Sequence, residues 1–159
     1  MATNDPLKRG VVLRPASKGD QPTIVRMVRE AGINPLDLDW RHFLVAEAHG
    51  QIVGIGQIKS HRDGSRELAS IAVVPAHQGQ GIARAIIEKI LAGEQGTLYL
   101  MCRAPLEGFY VRFGFRRIEL DAMPPYFKRL VRFAQFVTPL ADLFGAEGIH
   151  IVVMRRDAV

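Results

Sequence analysis

The spacing of apolar positions changes several times along the chain, and each change marks a new element. VVLRPAS, from Val11, reads as a first strand. SKGDQPTIVRMVREAG carries Ile24, Val25, Met27 and Val28 at roughly helical spacing and stops at Gly32. NPLDLDW is a connector or a short helix. FLVAEAHGQIVGIGQIKSH then reads as a hairpin, two strand-like runs meeting at His49-Gly50. RDGS makes the next turn, and RELASIAVVP is a third strand of that meander.

The second half switches period more often. Ile82, Ala83, Ile86, Ile87, Ile90 and Leu91 form one apolar stripe of an amphipathic helix, with Arg84, Glu88 and Lys89 off it. TLYLMCR is a further strand, APLEGFYVRFG a short helix closed by Gly114, and FRRIEL another strand. PPYFKRLVRFAQFV predicts a helix that starts at Pro124-Pro125 and ends at Thr138-Pro139. IHIVVMR closes the chain as a last strand. A meander followed by a strand–helix crossover predicts a mixed α/β fold. With no repeat, linker or low-complexity tract, residues 1–159 are expected to form a single domain.

Composition narrows the class. At 48% hydrophobic and 23% charged, the chain reads as globular rather than disordered. No apolar run approaches the ~20 residues of a membrane span, and MATNDPLKRG lacks the apolar stretch of a secretory signal. The one cysteine, Cys102, allows no internal disulfide and suits a reducing cytoplasm. The formal charge of +5 includes a cluster from Arg103 through Arg112, Arg116 and Arg117 to Lys128, Arg129 and Arg132. The cluster reads as mostly solvated surface; if it binds anything, small anions suit it better than nucleic acid, because aromatic interleaving and DNA-binding motifs are missing. His42, His49, His61, His77 and His150 show no metal-ligand spacing; each reads as a surface or turn residue, and no metal is expected.

The candidate chemistry lies in HQGQGIARAIIEKI. Glycine costs roughly 0.8–1 kcal/mol against alanine in a helix, yet two stand where this one begins. A strand entering a helix through a glycine turn leaves unpaired amides at the positive end of the helix dipole. With no Cβ in the way, a phosphate reaches those amides. The P-loop pattern is absent, and the dinucleotide fingerprint fails because Arg84 stands where its third glycine is needed.

What remains, Gln78-Gly79-Gln80-Gly81-Ile82-Ala83, resembles the Arg/Gln-x-x-Gly-x-Gly/Ala signature of the GNAT N-acetyltransferase superfamily. ELASIAVVPAHQGQGIARAIIEKIL resembles that family's fourth strand, turn and third helix, and FYVRFGF its second segment. The resemblance covers nearly the whole chain. It implies the GNAT fold: about seven strands, the N-terminal meander antiparallel, helices on both faces. It also implies acetyl transfer from acetyl-CoA to an amine by direct attack in a ternary complex, so that Cys102 is not needed as a nucleophile.

The resemblance assigns the diphosphate of acetyl-CoA to Gln78, Gly79, Gln80, Gly81, Ile82, Ala83 and Arg84. The main chain around Ile71, Ala72 and Val73 would hold the pantetheine arm. An amide at Val73 polarising the thioester would be worth ~2.7–4 kcal/mol by analogy with other acyl-transfer enzymes. Tyr110 stands where the family carries the tyrosine that assists the departing thiolate. Its ordinary acidity makes full proton transfer uphill by roughly 2 kcal/mol, so it is read as a hydrogen-bond donor. Glu67 matches the family's general base, or is a solvated strand-end residue beside Arg66. An α-amine needs only ~1.4 kcal/mol to shed its proton at pH 7, a lysine more than ~4. Arg103 replaces an asparagine that often touches CoA and either pairs with a phosphate or faces solvent.

The acceptor is expected to enter between GINPLDLDWRHF and the long segment 121–148. In the latter, Phe127, Leu130, Val131, Phe133, Phe136 and Val137 offer an apolar surface beside Lys128, Arg129 and Arg132. That segment either packs on the core or a dimer interface, or forms a lid whose cations hold an acceptor carboxylate. Small amines, amino acids among them, are the expected acceptors. Protein N-termini or lysines, and a non-catalytic acyl-CoA sensor, are the alternatives.

Overall fold

A computed structural model describes residues 10–142 and 150–158, with side chains given for all of these except 136–142. Its strands are β1 (Val11–Pro15), β2 (Phe43–Ala48), β3 (Gln51–Ser60), β4 (Arg66–Val73), β5 (Leu98–Arg103), β6 (Arg116–Arg117) and β7 (Ile151–Arg156). Its helices are α1 (Gln21–Glu30), α2 (Ile82–Ala92), α3 (Glu107–Val111) and α4 (Pro125–Asp142). The strands form one mixed sheet in the order β1-β2-β3-β4-β5-β7-β6. Pairing is antiparallel for β1–β2, β2–β3, β5–β7 and β6–β7, and parallel for β4–β5, where Glu67 lies opposite Tyr99. This is the mixed α/β architecture that the apolar pattern predicts.

Contacts divide the chain into two units, one up to Lys59 with Leu68–Gln95, the other Ser60–Glu67 with the chain from Gly96 onward. In the first, strand alternation sends side chains to two faces. Ile24, Met27 and Val28 of α1 pack with Phe43 and Val45 of β2 and Ile55 of β3. On the other face, Ile82 and Ile86 of α2, one turn apart, pack with Ala46, Ala48 and Val53. The glycines of GIG in β3 allow that approach. A Cβ on Gly54 would stand 2.8 Å from Ile82 Cγ2, and one on Gly56 would stand 2.7 Å from Ile86 Cγ2. Helix α2 therefore seats close on the strand, which fixes where its first turn begins. Val53 is an extra residue in the β2–β3 pairing, and its carbonyl accepts from Val74 N at 2.9 Å, anchoring the chain just past β4.

In the second unit, Phe127 of α4, Ile118 and Val153 of β7 are buried together. Two expectations change here. FRRIEL pairs as a strand only at Arg116–Arg117, because the buried Phe115 and Ile118 lie three apart rather than two, and Leu120–Ala122 winds into a 3-10 turn. Helix α4 begins at Pro125 as expected but runs through Pro139 to Asp142. A proline there removes one helical donor. Phe127 belongs to the core, whereas Phe133 is 69% exposed; the side chains of Phe136 and Val137 lie outside the described ones.

Candidate active site

The glycine turn is built almost wholly from main chain. After β4, Pro75–His77 form one 3-10 turn, and Gln78 N donates to Pro75 O at 3.3 Å. The two glutamine side chains fold back as braces: Gln78 Nε2 donates to the Val73 carbonyl at 3.0 Å and Gln80 Nε2 to that of Ala76 at 3.3 Å. Gly79 has φ +73°, with open space where a Cβ would stand, and Gly81 has φ +83°. Both conformations favour glycine strongly. Gly81 caps α2, and its carbonyl accepts the first helical bond, from Ala85 N at 3.0 Å. A glycine cap brings no side-chain acceptor, so the first-turn amides of Ile82, Ala83 and Arg84 have no partner from the helix itself. An anion placed there gains typically 0.3–1 kcal/mol, and up to ~2 where partly buried, from the dipole alone. The Arg84 guanidinium is tied to Glu88 at 2.7 Å on the helix surface, so its amide is the group it offers.

Ile71, Ala72 and Val73 are half-buried in the second half of β4. They follow Ser70, a non-glycine residue at φ +57° in mid-strand, which kinks β4 just before them. Two buried polar residues of β3, Gln57 under this kink and Lys59 further along the strand, do not stand out in the sequence. Gln57 Nε2 donates to Ser70 Oγ at 2.9 Å and to the Asp37 carbonyl at 3.3 Å, while its Oε1 is buried without a partner among the described residues. Lys59 Nζ donates to the Leu36 carbonyl at 2.7 Å. Together they fasten the 36–37 loop, within the stretch expected to flank the acceptor.

In the second unit, Tyr110 sits on the short α3, edge-on to Phe109 and Phe115. Burial, with a smaller push from Cys102, raises its phenol to about 12. A phenol so placed stays protonated and donates. Cys102 is buried in β5, its Sγ 4.0 Å from Met154 Sδ. Burial and the Glu107 carboxylate raise its thiol to about 11, which suits a core residue rather than a nucleophile. Arg103 is exposed at the end of β5.

Glu67 is not a solvated strand end. Its side chain is 9% exposed and its Oε2 lies 2.8 Å from His61 Nε2, with the His61 side chain itself 5% exposed. His61 therefore departs from the expectation of a surface histidine. The ring is stacked on Tyr126, a contact between residues 65 positions apart that no local pattern announces. Among the described residues there is no group of three or more His, Cys, Asp or Glu able to hold a metal ion. Nor is any helix among them long and apolar enough to cross a membrane.

Comparison with known proteins follows the same lines. The model of the acetyltransferase (GNAT) domain matches residues 39–117. An uncharacterized N-acetyltransferase of Chlorobaculum tepidum is 31% identical over 86 residues, which are 53% of this chain and 56% of that protein. The match thus spans little more than half of this curated relative. Among solved structures, N-acetylglutamate synthase of Neisseria gonorrhoeae, complexed with coenzyme A and N-acetyl-glutamate, superimposes with TM-score 0.71 at 20% identity. That alignment takes in 94% of this chain and 35% of the synthase. The ribosomal-protein-S18-alanine N-acetyltransferase of Escherichia coli gives 0.64 at 18% identity, over 92% of each chain. These two likenesses speak for the fold. With the family domain at 39–117 holding both the glycine turn and the FYVRFGF segment, the chain belongs to the GNAT acetyltransferase family.

Proposed function

We propose that residues 1–159 act as one N-acetyltransferase domain that moves the acetyl group of acetyl-CoA to the amine of a small molecule. Free amino acids are the first acceptors to test. The observation that carries this reading is the glycine-capped start of α2, whose first-turn amides face no side-chain cap. In this reading Gln78–Arg84 take the diphosphate through main-chain amides, and Ile71, Ala72 and Val73 hold the pantetheine arm. Glu67 accepts the amine's proton through water. The nitrogen then attacks the thioester carbon, and Tyr110 donates a hydrogen bond to the leaving thiolate, which picks up its proton from solvent. Arg103 is placed as a surface partner for a CoA phosphate.

Purified protein with acetyl-CoA and a panel of amines, read by release of free thiol, tests this. Release with amino acids supports the reading. Tight CoA binding with no release for any amine overturns it in favour of an acyl-CoA sensor. A second reading, acetylation of protein N-termini, gains weight from the Escherichia coli enzyme, whose length this chain matches over 92%. Peptides with free N-termini belong in the same panel, and release confined to them selects that reading.

A further inference from the structure

Glu67 and His61 are removed from water together, and an isolated carboxylate at that depth requires hydrogen bonds or an opposing charge. An ionised carboxylate only accepts, so the proton in the 2.8 Å contact belongs to His61 Nε2. The imidazole is fixed from outside. Tyr126 lies flat on it, ring centroids 3.5 Å apart and 15° from parallel, and Phe127 meets it edge-on at 5.7 Å. The first turn of α4 that carries these rings is itself tied to the same hairpin turn. Asp63 Oδ2 accepts from Tyr126 N at 2.8 Å, two residues from His61. Phe127 also meets Tyr99 at 5.4 Å, and Tyr99 is the residue paired with Glu67 across β4 and β5. The 61–65 turn, the start of β4 and the start of α4 thus converge on one carboxylate.

We infer that His61 is a positioning residue for Glu67, and that Tyr126, by clamping the imidazole, couples the carboxylate to the seating of α4. This rests on the reading of Glu67 as the base. A donated Nε2–H favours the ionised carboxylate and holds its rotamer. The proton that leaves the ammonium then has a fixed destination. Its N–H bond breaks, an O–H bond forms on Glu67 through water, and the nitrogen keeps the electron pair it needs for attack. His61 keeps its proton throughout. Among the described residues, the titratable groups seen against the pair are Asp63 on the turn, Tyr99 on β5 and Tyr126 on α4.

The test is the pH profile of kcat/KM for the full chain, with acetyl-CoA and whichever amine of the panel is accepted. Glu67→Gln should abolish the acidic limb. His61→Ala should move that limb to higher pH and lower kcat near neutrality roughly tenfold, part of the ~10²-fold or more that a general base supplies, with KM for acetyl-CoA unchanged. His61→Gln, whose amide N–H can reach the same oxygen, should recover most of the loss. Tyr126→Ala should shift the limb in the same direction as His61→Ala but less. A limb that stays in place in His61→Ala overturns the inference alone. A limb that survives Glu67→Gln overturns the assignment of the base as well, so the two failures are distinct. Should His61→Ala not fold, nitrogen-15 spectra of the His61 ring decide without any acceptor. A single Nε2-protonated form that becomes a tautomer mixture in Glu67→Ala, where the acceptor oxygen is gone, is expected, and a ring signal indifferent to Glu67→Ala overturns the pairing.

Discussion

In the proposed site, residues 73–84 and residues 61–67 are built from different materials. In the first stretch the groups proposed to work are main-chain amides; the side chains of Gln78 and Gln80 brace the turn, and two glycines stand at positive φ. In the second, the groups proposed to work are side chains, packed against an aromatic ring from a helix far along the sequence. A main-chain site tolerates wide variation in side chains but not in backbone conformation. A side-chain site is the reverse: the turn can vary provided the ring above it stays seated. Substitutions should separate the two.

The largest effect is expected at Tyr110. Tyr110→Phe removes a hydroxyl that burial keeps protonated, and turnover should fall on the order of 10²-fold, the scale of losing one donor to a developing negative charge. Acetyl-CoA affinity should change little. The sign with pH follows from the raised phenol. The donor form persists until pH nears 12, so wild-type turnover should show no loss from this group below about pH 11. Steady-state rates from pH 6 to 10 check this, and a turnover number unchanged in Tyr110→Phe removes the role.

Next come the glycines, which the chain uses for two opposite reasons. Gly54 is needed for space: valine there puts a Cβ 2.8 Å from a branch methyl of Ile82, an atom that cannot swing aside without changing χ1. Overpacking of this kind costs about 1–3 kcal/mol, and it should also unseat the first turn of α2 and weaken CoA binding. Gly79 is needed for conformation: alanine there meets nothing within 4 Å but must hold φ +73°. The cost is about 1 kcal/mol, with the loss read chiefly in CoA affinity. Denaturant midpoints with and without CoA separate the cases. Equal stability loss in both variants would mean that the space argument at Gly54 is wrong.

This contrast also explains what was legible in the sequence. The order of strands and helices, the hairpin at His49-Gly50 and the glycine turn all follow from local period and backbone preference, and the structure has them. The GIG of β3 was visible only as part of a strand, because its meaning lies in Ile82 and Ile86 across the face. The buried Gln57 and Lys59 were invisible for the same reason, since their partners are carbonyls of Asp37 and Leu36 some twenty residues back. Ser70 at positive φ defies its residue type, and no pattern announces it. His61 looked like a turn residue because its neighbours Arg62, Asp63 and Gly64 are polar or small. Tyr126 and Phe127, arriving from α4, pack against its ring.

The smallest effect concerns the tie between that turn and α4. Asp63 accepts from Ser65 N at 3.0 Å, from Ser65 Oγ at 2.6 Å and from Tyr126 N at 2.8 Å. Burial works to raise its pKa, but these hydrogen bonds outweigh it and hold the carboxyl below the usual range. A lowered carboxyl contributes stability above its unfolded value of ~3.9, and that contribution is lost as pH falls through the folded value. Asp63→Ala should therefore cost about 0.5–1 kcal/mol at pH 7, the low end for a lost helix cap because the residue is exposed. The gap from wild type should narrow below pH 4 as the wild-type carboxyl takes up its proton. Asp63→Asn, which keeps an acceptor but no charge, should fall between the two at pH 7. Thermal melts at pH 7, 5 and 3 measure it, and a gap that widens on acidification would mean that Asp63 is not the group fastening α4 to the turn.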